Sequence, residues 1–126
     1  MDKKNFNYQD LDIYKLSLSL AVEINSMTKD LPKNEFWETG SQIRRSAKSI
    51  PANIAEGYGR KRYKNEYIKF LVYTLSSGDE TKVHLELLFK CGSIFEDKYN
   101  YFNNEYMKLG RMISNFLNAI CQGRAN

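Results

Sequence analysis

Between Asp10 and Asp30 the apolar residues Ile13, Leu16, Leu20, Ile24 and Met27 recur at three- and four-residue steps. At about 100° per residue they share roughly 80° of arc, which predicts an amphipathic helix. Leu11, Leu18 and Val22 make a second apolar stripe, well off the first, that a lone four-helix monomer does not need. Pro32 disfavours helical geometry at Leu31 and ends the segment. A second helix is expected from about Asn34 to Glu56, with an irregular first turn before Ser41. Phe36, Gly40, Ile43, Ala47, Ile50 and Ile54 share its apolar face, while Arg44, Arg45 and Lys48 lie on the other. Pro51 inside that pattern would cost ~3 kcal/mol in a straight helix, so a kink or two abutting helices is expected there. Gly57 and Gly59 then read as C-terminal caps.

The third pattern, about Lys61 to Lys90, is the longest. Tyr63, Tyr67, Phe70, Leu71, Thr74, Gly78, Thr81, Leu85 and Leu88 form its main buried face, with Ile68, Val72, Leu75 and Val83 as a second stripe. Gly78 in mid-helix costs about 1 kcal/mol relative to alanine, which suggests a second backbone passing close by. Cys91-Gly92 ends this helix. After an aromatic-rich connection, Phe102, Tyr106, Leu109, Ile113, Phe116, Leu117 and Ile120 mark a fourth, with fraying expected over the last few residues. The expected fold is all-α: an antiparallel up-and-down four-helix bundle in a single domain over residues 1–126, with an ordered core at about 6–121.

Composition agrees with this and adds the charge distribution. The 126 residues are 42% hydrophobic and 27% charged, with two prolines to break helices, a balance that suits a folded domain. No apolar run approaches the ~18–20 residues of a membrane span. The opening Met1-Asp2-Lys3-Lys4-Asn5 is not apolar like a signal peptide, so no membrane association and a cytoplasmic location are expected. Cys91 and Cys121 stand thirty residues apart and read as buried free thiols. Net charge is +4, yet residues 41–69 hold eight basic side chains against Glu56 and Glu66. That excess of six leaves the rest of the chain slightly negative.

Catalytic chemistry finds little support. His84 is the single histidine and is expected on the outer side of the third helix. It has no second histidine with which to build a paired metal site, so no metal, cofactor or catalytic residue is assigned. Gly57-Tyr58-Gly59 follows a helix rather than a strand and lacks the third glycine of a dinucleotide loop. The candidate binding residues are basic: Arg60, Lys61, Arg62 and Lys64 at the opening of the third helix, with Arg44, Arg45 and Lys48 on the second. Arginines near free helix N–H groups can clamp phosphate, and Tyr58 and Tyr63 can stack on exposed bases. The competing reading is a solvated or ion-paired basic run with a structural role only.

The run Gln42-Ile-Arg-Arg-Ser-Ala-Lys-Ser-Ile-Pro-Ala-Asn-Ile-Ala-Glu-Gly-Tyr-Gly-Arg60 resembles the signature of small four-helix-bundle proteins encoded in intervening sequences of bacterial large-subunit (23S) ribosomal RNA genes. Tyr8-Gln-Asp-Leu-Asp-Ile-Tyr-Lys-Leu16, Leu31-Pro32 with Glu35, and Phe70-Leu71 with Ser76-Ser-Gly-Asp-Glu80 resemble it as well, so the likeness spans roughly residues 6–121. It departs where that family often has a small residue and Gly-Ser and this chain has Ser76-Ser77-Gly78. The resemblance implies assembly into a homopentamer. It also implies kinship in fold with the accessory proteins of diversity-generating retroelements, positively charged barrels that contact nucleic acid and a reverse transcriptase. On this basis Leu11, Leu18, Val22, Ile68, Val72 and Leu75 are the expected oligomer interface. Two functions follow as expectations: a non-enzymatic homo-oligomer binding RNA or DNA, structured RNA foremost, or a scaffold docking a protein partner with little nucleic-acid contact.

Overall fold

In the computed structural model, which describes residues 5–123, the chain enters through a capped turn. Asn7 Oδ1 accepts the Gln9 N–H (2.8 Å) while Asp10 Oδ2 accepts the Asn7 N–H (2.9 Å), closing a single 3₁₀ turn at Tyr8–Asp10. Helix α1 (Asp12–Thr28) follows. The break at Pro32 is answered by a one-turn helix α2 (Lys33–Trp37), and Glu38, at φ −91° and ψ −99°, separates it from α3 (Thr39–Gly59). The irregular turn expected before Ser41 is therefore a short helix of its own. Helix α3 runs through Pro51 as one helix rather than two.

Helices α4 (Lys64–Lys90) and α5 (Glu96–Cys121) complete four long helices and one short one among the described residues. Gly92, at φ +79°, ends α4: its N–H reaches the Phe89 carbonyl (3.0 Å) and the Ser93 N–H reaches that of Leu88 (2.8 Å). This is the double hydrogen bond of a left-handed helix cap, a conformation glycine adopts without Cβ strain. Helix α5 begins at Glu96, earlier than its apolar repeat announces, because Glu96, Asp97 and Asn100 give the first turns an exposed polar surface. The fraying expected at residues 124–126 falls outside the described residues.

The long helices pack in a ring, α1 on α3, α3 on α4, α4 on α5 and α5 back on α1. Neighbours are antiparallel, as side-chain pairs show. Ser46 and Ser49 of α3 meet Thr81 and Ser77 of α4 at 2.8 and 2.6 Å, so numbering rises in one helix as it falls in the other. Phe89 stacks on Tyr99, and Tyr67 meets Phe116 edge-on, fixing α4 against α5. The core contains Ile13, Leu20, Ile24, Ile43, Ile50, Ile54, Leu71, Leu85, Leu88, Leu109 and Ile113, close to the faces read from periodicity.

Several expectations change. Gly57 and Gly59 are not caps: both lie inside α3 and neither has positive φ. Gly57 is a point of tight contact between α3 and α4, since a Cβ there would lie 2.9 Å from the Phe70 Cβ, whereas one on Gly78 would meet nothing within 4 Å. His84 is buried, not on the outer side. Its Nε2 sits 3.3 Å from Glu80 Oε2 while its Nδ1 has no hydrogen-bond partner. Tyr63, assigned to the buried face, is exposed, and so are Cys91 and Cys121. Leu11, expected at an oligomer interface, packs instead in the core of the bundle.

Candidate nucleic-acid interface

The basic residues selected from sequence do not form one patch. Arg45 and Arg60 are fifteen residues apart on and just past α3, about 22 Å along its axis at 1.5 Å per residue. That exceeds the ~8–10 Å over which exposed charges act at physiological salt. Arg44 is withdrawn altogether. Its guanidinium donates to Thr28 Oγ1 (2.9 Å) and the Phe36 carbonyl (3.1 Å) and lies over the Phe36 ring (4.1 Å). It therefore clamps α2 against α1 and α3. Arg45 and Lys48 are exposed and unpaired among the described residues, with Lys48 at the rim of a groove of about 510 Å³ formed with Leu18, Val22, Lys29 and Pro51.

The second group sits on the tight link between α3 and α4. The Arg60 N–H bonds to the Gly57 carbonyl (2.9 Å), Lys61 N–H to Tyr58 (3.2 Å) and Tyr63 N–H to Arg60 (2.8 Å). The turn is thus held by its own backbone and presents four cations within five residues. Arg60 pairs with the Glu56 carboxylate (2.8 Å) and covers the Phe70 ring (4.8 Å). Lys61 Nζ donates to the Tyr58 hydroxyl (2.8 Å), and Lys64 Nζ donates to the Cys121 carbonyl (3.1 Å) at the negative end of α5. Arg62 is exposed and has no ion pair or hydrogen bond among the described residues. Tyr58 is buried against Tyr67 and cannot serve as a stacking surface. Tyr63 can, and Phe6, packed on Tyr58 with most of its ring in solvent, is an exposed aromatic at this end that no periodicity signalled.

The apolar stripes also separate. Leu18 and Val22 are exposed on α1, and Val72 and Val83 are exposed on α4, joined by Leu87, which the sequence reading missed. Ile68 and Leu75 are half-buried against the core. At the far end, Trp37 and Phe95 (86% exposed) flank a hydrogen bond between Ser93 and Glu35. Along the α1–α5 groove the Tyr101 hydroxyl donates to Glu23 (2.7 Å), and that bond, then desolvation, pushes its pKa up to about 12. Among the described residues no three of His, Cys, Asp and Glu are grouped to hold a metal ion, and no helix is long and apolar enough to cross a membrane.

Comparison with known proteins places this arrangement. The family model described as "23S rRNA-intervening sequence protein" matches residues 9–115. The chain is similar in structure to a protein of unknown function from the S23 ribosomal protein family of Bacteroides thetaiotaomicron VPI-5482, with a TM-score of 0.78 and 28% identity. The similarity covers 84% of this chain and 95% of the other. No curated protein matches it significantly.

Proposed function

The chain belongs to the 23S rRNA-intervening sequence protein family, and from that premise we propose that it is a non-enzymatic homo-oligomer that binds nucleic acid, structured RNA foremost, through the turn bearing Arg60, Lys61, Arg62 and Lys64. The observation that carries the reading is the concentration of these four cations on one internally bonded turn, with Arg62 unpartnered. The contacts that engage the others are weak competitors. An exposed pair such as Arg60–Glu56 is worth roughly 0–1 kcal/mol, less than a charge-assisted bond to phosphate can return. Arg45 and Lys48 form a separate basic strip, and Arg44 drops out of the binding set.

Self-association is supported by the placement of the unburied apolar residues. Helices α1 and α4 stand diagonally in the bundle, so Leu18/Val22 and Val72/Val83 are two separate exposed patches. Two different patches suit a head-to-tail contact that closes into a ring, a pentamer by the family resemblance. Such a ring would repeat the basic turn and supply avidity for a polyanion.

The test is a salt-titrated RNA-binding assay with particle mass measured by light scattering. Four phosphate contacts per site predict a log–log slope near −2.8 on single strands, or ~50-fold weaker binding at about 200 mM than at about 50 mM salt. Replacing Arg60, Arg62 and Lys64 together with glutamate should abolish binding and leave the folded mass unchanged. Binding that survives this replacement overturns the proposal. One observation favours a second reading, a protein-docking scaffold: Trp37 and Phe95, residue types typical of interface anchors, stand exposed at the end opposite the basic turn. A protein partner that co-purifies through nuclease treatment and is lost with Trp37→Ala would favour it.

A further inference from the structure

Four cations suffice to hold a duplex by its phosphates, and they leave the aromatic at the centre of this turn unexplained. Tyr63 lies between Arg62 and Lys64, 61% exposed, and makes no ring contact with another aromatic among the described residues. Its neighbours behave otherwise: Tyr58 packs on Phe6 and Tyr67, and Phe70 packs on Tyr73 and beneath Arg60. The backbone of Tyr63 is fixed on both sides. Its N–H donates to Arg60 (2.8 Å), its carbonyl accepts from Tyr67 (3.0 Å), and it holds an extended conformation at the start of α4 (φ −107°, ψ 91°). The ring is therefore presented from a rigid support, so ordering it on a ligand costs little entropy.

We infer that the basic turn takes unpaired nucleotides, with Tyr63 as the base-stacking surface and Arg62, Lys61 and Lys64 as the phosphate contacts around it; this rests on the nucleic-acid reading above. The physical reason lies in what each form of nucleic acid exposes. In a duplex the base faces are already stacked, so an aromatic ring gains nothing from them. In a single strand or loop each base has a free π-face, and stacking on an aromatic side chain adds a favourable term that salt does not screen. Tyr58 was the other candidate for this role, and its burial leaves Tyr63 to fill it.

The experiment compares a single-stranded oligoribonucleotide of about 16 residues, near the upper site size of single-strand binders, with the blunt duplex of the same length. Both are titrated by fluorescence anisotropy into the full-length protein. The single strand is expected to bind at least ~10-fold more tightly. Tyr63→Ala should weaken single-strand binding by about 5- to 150-fold, the range for one lost stack, with the salt slope unchanged, whereas Tyr63→Phe keeps the ring and the affinity. Arg62→Gln should instead reduce the salt slope by about 0.7. Equal affinity for duplex and single strand, with Tyr63→Ala without effect, overturns the stacking inference and leaves the nucleic-acid reading standing if the triple glutamate variant still abolishes binding. Absence of binding to either probe overturns both.

Discussion

Replacing Gly57 with alanine sets two effects of known sign against each other. Gly57 lies inside α3, where alanine is the better helix former by about 1 kcal/mol. Its new Cβ, however, would sit 2.9 Å from the Phe70 Cβ and 3.3 Å from Tyr67 Cδ1. Carbon atoms rest at about 3.5–4.0 Å, so a separation of more than half an ångström must be found. Phe70 cannot supply it by rotating its ring, because its Cβ is bonded directly to the α4 backbone. The helices must part along the most extensive contact in the bundle, against the buried Tyr67 and Leu71. Overpacking of this kind costs about 1–3 kcal/mol, which offsets the propensity gain and leaves a net loss of up to about 2 kcal/mol. The control is Gly78→Ala, where no atom lies within 4 Å and the propensity gain of about 0.5–1 kcal/mol should appear undiminished. Urea unfolding followed by circular dichroism, at matched protein concentration because an oligomer's stability depends on it, should shift the two midpoints in opposite directions by roughly 1 M between variants. A Gly57→Ala protein stabilised as much as Gly78→Ala would refute the assignment of Gly57 as a point of tight α3–α4 contact.

Arg44→Ala should cost about 2 kcal/mol, since a charged donor leaves Thr28 and the Phe36 carbonyl and a ring contact is lost with it. Hydrogen exchange should show the amides of α2 losing protection first, and unchanged exchange there would count against the clamp. Tyr106→Phe should stabilise the protein by about 1 kcal/mol, because the Tyr106 hydroxyl is buried without a hydrogen-bond partner; a lower melting temperature would reveal a partner. Burial raises the pKa of Tyr67 and Tyr106 above the ordinary value of 10.0. The unfolded chain therefore loses these protons first as pH rises, so their contribution to stability is complete below about pH 10 and falls away above it. Denaturant midpoints measured across that range should decline, and less steeply in Tyr106→Phe.

Periodicity carried most of the fold. A helix buries one stripe, so Ile13, Leu20 and Ile24, or Ile43, Ile50 and Ile54, announced both the element and its inward face before any contact was known. The same local logic located Gly92, whose positive φ is a property of the chain at that point. It erred where the outcome depended on a second segment. Gly57 read as a helix cap and Gly78 as the glycine beside a second backbone, and only the packing of α3 on α4 decided which of them touches a neighbour.

The candidate site divides along the same line. That cations gather between residues 41 and 69 is a fact of composition, and the sequence by itself determined it, together with the all-helical class and the core faces. Which of those cations remain available depended on partners distant in the chain: Thr28 claims Arg44 across sixteen residues, and Cys121 engages Lys64 across fifty-seven. Tertiary structure likewise buried Tyr58 and His84, against expectation, and left Tyr63 in solvent rather than on the buried face of its helix. Helical spacing assigns a residue to a face, but whether that face is covered depends on elements that pack against it from elsewhere in the chain. One-dimensional pattern therefore selected the Gln42–Arg60 segment and its basic extension, and three-dimensional packing left Arg62 as the cation of that extension without a partner among the described residues, with Tyr63 exposed beside it.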